Sequence, residues 1–203
     1  MKSSRFVAVC AITAALVFVL SLIPQSWGIP FLGLLPVLVV VCAFRNLKLS
    51  IFAALCAGFT SWVFSYIRPT LVSEFFQTNL LLPIVPRLMA VLLAHCCSVF
   101  VYKVSKKNIW CASLSCAIVG SVANTVFVLS SLYMFVPVVS QNNATFWVYF
   151  VAVVPTAAIE LLLNSVLTLG LSKPVYVAVA KNSQKLNASK QSIYLDNDFK
   201  KNV

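Results

Sequence analysis

Six long apolar stretches, separated by short polar breaks, run along the chain. They occupy residues 6–23, 31–44, 49–67, 80–102, 109–136 and 146–171. A helix of about 20 apolar residues crosses the roughly 30 Å hydrocarbon core of a bilayer. The pattern therefore predicts an all-α integral membrane protein with six transmembrane helices in one bundle. The second stretch is short and flanked by Pro30 and Pro36, so we expect a helix that is tilted, broken or partly buried in protein.

The composition supports this class and excludes two others. Of the 203 residues, 61% are hydrophobic and 9% are charged, whereas about 25% of the residues in a soluble domain are charged. Intrinsic disorder requires the opposite composition. The sequence turns polar at Lys181. We therefore expect a membrane domain over residues 1–180 and a flexible cytoplasmic tail over residues 181–203, whose lysines lie against anionic lipid.

The basic residues indicate how the helices are oriented. Lysine and arginine together number 15, against four acids, for a formal net charge of +11. In a soluble protein this excess favours nucleic-acid binding, but in membrane proteins basic residues collect in cytoplasmic loops. Here they fall in the N-terminus, the second and fourth loops and the tail, while the first and fifth loops have none. We expect a multi-pass protein of the bacterial cell membrane, with both termini cytoplasmic and no nucleic-acid partner.

Three ionisable side chains fall inside the predicted spans: Arg87, His95 and Glu160. A charge that faces lipid at the bilayer centre costs about 2.5–3.5 kcal/mol, so Arg87 and Glu160 are expected to face the bundle or a wet cavity. One interpretation is an ion pair that braces two helices, and the other is a polar pocket open to the outside. The two are compatible, because an empty pocket can contain its own ion pair.

Other polar residues extend this candidate substrate-binding site. Asn124 and Thr125 lie in the fifth span, and Thr156 lies one turn before Glu160. Hydrocarbon disfavours such groups unless they find partners. His95 follows Arg87 by two turns on roughly the same helix face, where it either lines the pocket or packs against a neighbouring carbonyl group.

No signature of enzyme chemistry accompanies these residues. The sequence has no His-Glu-x-x-His, Gly-x-Ser-x-Gly or P-loop motif, and none of its seven cysteines forms a Cys-x-x-Cys pair. We therefore expect no catalytic activity, no cofactor and no metal site. Solute transport against a gradient would need an ion gradient or energy from another subunit.

Small residues recur at helical spacing along the first span. Ala11 and Ala15 form a smooth strip, offset by Cys10 and Ala14. Such strips allow two helices to approach closely. The strip is expected either to pack inside the monomer or to contact a partner subunit.

Five short motifs, in order along residues 5–175, are similar to those of substrate-binding S components of energy-coupling factor (ECF) vitamin transporters. The first is an Ala-rich helix at residues 5–16, and the second is a Leu-Pro-Val turn at 35–37. A Pro-Arg-Leu helix start follows at 86–88. The last two are an Asn-Thr-Val-Phe-Val-Leu stretch at 124–129 and an Ile-Glu pair in the sixth helix at 159–160. The Pro-Arg and Asn-Thr-Val versions most resemble the pantothenate-type branch.

The resemblance implies a membrane subunit that binds a vitamin from outside and works with a transmembrane coupling subunit and two ATPases. It places the pocket among spans four to six, under the first loop and the loop at residues 68–79. It also places Ala11 and Ala15 at the coupling-subunit interface. Arg87 suits a carboxylate, such as that of pantothenate, through paired hydrogen bonds.

Two other functions fit the composition less well. A self-sufficient secondary transporter normally has ion-coupling carboxylates and repeated halves, whereas this sequence has one acid within its spans and no evident repeat. In a membrane scaffold without transport activity, Arg87 and Glu160 would serve only as a brace.

Overall fold

The computed structural model describes residues 3–22, 33–67, 73–135 and 143–201, and it describes side chains of the last segment as far as Ala178. These residues form seven helices and no strand, which confirms the all-α class. The helices are α1 (Ser3–Ser21), α2 (Leu34–Phe44), α3 (Leu47–Ile67), α4 (Ser73–Thr78), α5 (Leu81–Val104), α6 (Ile109–Phe135) and α7 (Asn143–Lys201). The first loop, residues 24–30, was expected to cover the pocket and lies outside the described residues.

Each of the six predicted apolar stretches corresponds to a helix. Among the described residues, α3, α5, α6 and the Val153–Ala178 part of α7 are long and apolar enough to cross a membrane. The apolar parts of α1 and α2 are shorter. Large hydrophobic side chains are exposed along the outer faces of the helices, as expected of a surface that contacts lipid. Six crossings and cytoplasmic termini remain predictions.

The short helix α2 lies inside the protein. Its residues from Leu34 to Ala43 are all buried, and Val37, Leu38 and Val41 belong to the central apolar cluster. Eleven helical residues span only about 16 Å, roughly half the hydrocarbon thickness. Of the expected alternatives for this stretch, burial in protein is the one that the fold adopts.

Glycine allows two close helix contacts around this core. A Cβ atom built on Gly58 of α3 would lie 2.8 Å from the Ile84 Cα of α5. A Cβ atom on Gly120 of α6 would lie 2.5 Å from a methyl group of Leu38 in α2. The backbones of α3 and α5 therefore approach at a position where no larger residue fits without movement.

The last helix extends beyond the predicted membrane segment. The sequence predicts little fixed structure from Lys181 onward, whereas the helical backbone continues through Lys201. Neither glycine nor proline interrupts the chain after Pro174, so no residue in the tail breaks the helical hydrogen-bond pattern.

The helices of the bundle run between two ends. The Phe76 end contains α4, the end of α3 and the start of α5. The Arg45 end contains the turn between α2 and α3 and the turn between α5 and α6.

Candidate functional site

Arg87 of α5 is buried near the Phe76 end of the bundle, with only 6% of its surface exposed. Its Nη1 atom donates a hydrogen bond of 2.8 Å to the Pro83 carbonyl, one turn earlier. The side chain therefore points back toward the start of α5. Its guanidinium carbon lies 5.5 Å from the centroid of the Phe76 ring, a separation typical of cation–π contact.

The short helix α4 covers Arg87 and is fixed to α3. Phe76 is buried against Leu82, Val128 and Leu132. Gln77 Nε2 donates to the Ser65 carbonyl at 2.6 Å, and the Tyr66 hydroxyl donates to the Gln77 carbonyl at 3.0 Å. The 68–79 loop was expected to act as a lid, and its described part is a small helix tethered by these two bonds.

Glu160 of α7 lies close enough to Arg87 for direct electrostatic interaction. Glu160 is half-buried, and its Oε1 accepts a bond of 3.4 Å from Asn164 Nδ2. The two charges singled out from the sequence therefore lie within electrostatic range of each other, an arrangement that is compatible with both the brace and the pocket.

Two contacts determine the antiparallel alignment of α6 and α7. Ser113 Oγ lies 2.5 Å from Ser172 Oγ, and Asn164 Nδ2 donates to Ser121 Oγ at 3.0 Å. Eight residues separate the two contacts on each helix, so α6 and α7 keep a constant register between them. Continued by one turn, it places Thr125 beside Glu160.

Asn124 and Thr125 belong to the same region but differ in their contacts. Asn124 is 9% exposed, and its buried Oδ1 has no hydrogen-bond partner among the described residues. Thr125 Oγ1 donates to its own helix, at the Ser121 carbonyl, over 3.3 Å. Asn124 is therefore the stronger candidate for contact with a ligand, because a buried amide oxygen requires a donor.

The remaining two site candidates make other contacts. His95 lies about 12 Å along α5 from Arg87, toward the Arg45 end, and its Nδ1 atom is 3.0 Å from Ser50 Oγ. Ser50 Oγ also lies 3.0 Å from the Asn46 carbonyl, so its single hydrogen is used there and His95 Nδ1 is the donor. Thr156 is exposed and donates to the Val153 carbonyl at 2.8 Å.

A stripe of buried polar residues on α7 runs from Glu160 toward the Arg45 end. It was not predicted from the sequence. Its members recur every four residues and have 0% exposure: Asn164, Thr168 and Ser172. The Asn164 Oδ1 and Thr168 Oγ1 atoms have no hydrogen-bond partner among the described residues. The four-residue spacing after Glu160 was the available signal, since it puts all of these residues on one helix face.

We expect opposite stability changes from two substitutions in this stripe. Thr168→Val removes a buried hydroxyl without a partner at nearly constant volume, so it should stabilise the fold by about 1 kcal/mol. Asn164→Leu removes the bond to Ser121 and should destabilise it by about 1–3 kcal/mol. Thermal unfolding of both variants in one detergent tests this, and a lower melting temperature for Thr168→Val would contradict it.

The small-residue strip on α1 divides into an outer and an inner part. Ala11 and Ala15 are exposed and Ala14 is half-buried. Cys10 is 8% exposed and packs within the chain in a cluster with Val40 and Leu49. The surface open to a partner is therefore narrower than the four residues expected from the sequence.

Comparison with known proteins identifies a matching family. The model of the family described as "ECF transporter, substrate-specific component" matches residues 5–172, from α1 well into α7. No curated protein matches the sequence.

Proposed function

The chain belongs to the ECF transporter substrate-specific component family, and we propose that it binds a vitamin of the pantothenate class and delivers it inward. Members of this family are membrane subunits that bind a small-molecule substrate; they are transport components and not enzymes. They work with an ECF coupling subunit and ATPases.

The observation that carries the substrate proposal is the buried guanidinium of Arg87 beneath Phe76. A guanidinium binds a carboxylate through two parallel hydrogen bonds, and burial strengthens that interaction. Pantothenate has one carboxylate, one amide and two hydroxyl groups. In this arrangement the carboxylate pairs with Arg87, and the unpartnered Asn124 Oδ1 accepts a hydrogen from the amide or a hydroxyl.

Glu160 has a second role in this scheme. It lies within electrostatic range of Arg87, which limits the cost of a buried cation. When a ligand carboxylate approaches Arg87, Glu160 becomes an acceptor for the hydroxyl groups of the ligand. Thr125, aligned beside Glu160 on α6, lines the same pocket, and Thr156 lies at its outer edge.

Orientation follows from the basic turns. The two turns at the Arg45 end contain Arg45, Lys106 and Lys107, and Lys48 lies in the first turn of α3. Under the positive-inside rule such basic segments lie in the cytoplasm. The Phe76 end then faces outward, with the Arg87 region near the outer surface of the bacterial membrane. This orientation suits the capture of a vitamin from outside.

A matched pair of ligands tests the substrate proposal. We expect pantothenate to raise the melting temperature of the purified chain by several degrees, because a ligand at 100 times its Kd stabilises by about 2.7 kcal/mol. Pantothenol, in which a hydroxymethyl group replaces the carboxylate, should have little effect. Equal stabilisation by both compounds, or by neither, would refute the proposal, and a panel of other carboxylate vitamins then identifies a different substrate.

The exposed part of the α1 strip is the proposed contact with the coupling subunit. We expect Ala15→Trp to leave vitamin binding unchanged but to prevent co-purification with the coupling subunit and the two ATPases, because a large ring keeps the helices apart. Val122→Trp, on the exposed face of α6, is the control and should assemble normally. Intact assembly of Ala15→Trp would remove this strip from the interface.

A further inference from the structure

A cluster of cations and aromatic rings occupies the Arg45 end of the bundle, away from the proposed vitamin site. The Arg45 guanidinium carbon lies 3.5 Å from the centroid of the Tyr102 ring and 5.6 Å from that of Tyr176. Lys173 Nζ lies 5.0 Å from the centroid of the Trp110 ring. The cluster joins the turn between α2 and α3, the end of α5, the start of α6 and the middle of α7.

Three basic residues of this end adopt backbone conformations that favour glycine. Arg45 has φ 46°, Lys106 has φ 51° and Lys107 has φ 67°, and these are the only non-glycine residues with positive φ in the described part of the chain. A side chain in this region is strained, and helices commonly end with glycine there. The two turns therefore have cations at positions where glycine would be less strained.

Among the residues whose side chains the structure describes, no carboxylate lies near enough to balance the charge of the cluster. The sequence has four acids, Glu74, Glu160, Asp196 and Asp198. The first lies in α4 at the other end, the second is about 20 Å along α7 from Lys173, and the last two are about 30 Å beyond Tyr176. Arg45 and Lys107 both lie within electrostatic range of the Tyr176 hydroxyl.

Arg45 also has unused hydrogen-bonding capacity. Its side chain is half-buried, and its buried Nε and Nη2 atoms have no hydrogen-bond partner within the described residues. Unpaired donors on a buried charged group are unfavourable. Both atoms are enclosed by the protein, so an anion from outside the chain reaches them when the side chain turns toward the surface, and it then supplies both acceptors and the missing negative charge.

We propose that this cluster binds the phosphodiester headgroup of an anionic membrane phospholipid. The depth is suitable, because α5 ends at Val104 and the apolar part of α7 ends at Ala178, which places the cluster at the membrane surface. Tyrosine and tryptophan are enriched at that level, and basic pockets between helices bind acidic headgroups there. A guanidinium pairs with phosphate oxygens through two parallel hydrogen bonds.

The bound headgroup joins three parts of the chain. Arg45 precedes α3, Lys106 and Lys107 connect α5 to α6, and Lys173 belongs to α7. One anion that contacts all three holds these helices at a fixed spacing. Anionic lipid should therefore stabilise the isolated chain, with or without a vitamin.

Three titrations of the purified full chain in neutral detergent test the proposal. Dioleoyl phosphatidylglycerol is expected to raise the melting temperature by several degrees. Dioleoyl phosphatidylcholine, with the same acyl chains, and inorganic phosphate should each have little effect. Equal stabilisation by inorganic phosphate would indicate a free-phosphate site, and equal stabilisation by phosphatidylcholine would indicate an acyl-chain effect; either result overturns the proposal.

The double variant Lys106→Gly, Lys107→Gly removes two charges of the cluster without straining the backbone of the turn. Glycine fits the backbone of this turn, so the melting temperature in neutral detergent should stay the same or rise, while the response to phosphatidylglycerol falls by at least half. Lys185→Gln with Lys190→Gln removes the same charge from the tail, where contact with anionic lipid does not join the helices of the bundle, so this variant should keep the full response. A similar loss in both double variants would reduce the effect to non-specific attraction and refute the site.

Arg45→Lys provides a second measurement if the double variant is unstable. Lysine keeps the charge but lacks the planar set of N–H donors with which a guanidinium binds two oxygens at once, so the response to phosphatidylglycerol should weaken. An unchanged response would overturn the role assigned to Arg45.

Discussion

Replacing Arg87 with glutamine is expected to weaken vitamin binding by about 100-fold or more. Removal of one partner from a buried, hydrogen-bonded charge pair costs about 2–5 kcal/mol, which corresponds to roughly 30- to 4,000-fold in Kd. Arg87 is 6% exposed, so water cannot replace the lost interaction. Isothermal titration calorimetry of the purified chain with the stabilising vitamin measures the change.

Two controls separate binding from structure. Arg87→Lys keeps the charge without the planar donor fork, so its affinity should fall between those of the wild type and Arg87→Gln. Lys48→Gln removes an exposed charge at the Arg45 end and should keep full affinity. If Arg87→Gln retained wild-type affinity but melted at a lower temperature, Arg87 would be a brace for Glu160 and not a ligand contact.

Strong polarity explains which site residues could be predicted from the sequence. Arg87 and Glu160 were identifiable because hydrocarbon penalises charge, so a charged residue within an apolar span must face protein or water. The two lie within electrostatic range of each other. The order of the long helices was predictable for a similar reason, because each apolar stretch is long and clearly bounded.

Hydroxyl groups carry a much weaker signal. Ser21 donates to the Val17 carbonyl of its own helix, and Thr13 donates to the Val9 carbonyl in the same way. In contrast, Ser121 and Ser172 form hydrogen bonds with side chains of a neighbouring helix. Both arrangements satisfy a hydroxyl group in an apolar helix. Only the alignment of α6 with α7 distinguishes them, and that alignment is a property of the packed bundle.

The contacts of His95 and the position of α2 depend on residues that are distant in the sequence. His95 shares a face of α5 with Arg87, but Ser50 of α3 meets it there, and nothing local in the sequence pairs residues 45 positions apart. The length of α2 excluded a simple crossing. Its central position depends on Ala53 and Ala57 of α3 and Ala94 of α5, which leave space for its valines and leucines.

Gly58→Ala is expected to be the most destabilising single-methyl change in the described helices. A methyl group at this position would lie 2.8 Å from Ile84 Cα and 2.9 Å from Ile84 Cγ1. The first of these is a backbone atom, so the contact is relieved only by separating α3 from α5. Overpacking costs about 1–3 kcal/mol, and we expect the upper part of that range in thermal unfolding.

Gly170→Ala is the matched control, since a methyl group there meets nothing within 4 Å. In the interior of α7 this change should stabilise the helix by up to about 1 kcal/mol. Gly58→Ala should also weaken vitamin binding, because Ile84 lies three residues before Arg87 and a shifted α5 moves the guanidinium away from Asn124 and Glu160. A Gly58→Ala protein with unchanged melting temperature and affinity would mean that α3 and α5 are not in backbone contact, and that α3 does not position Arg87.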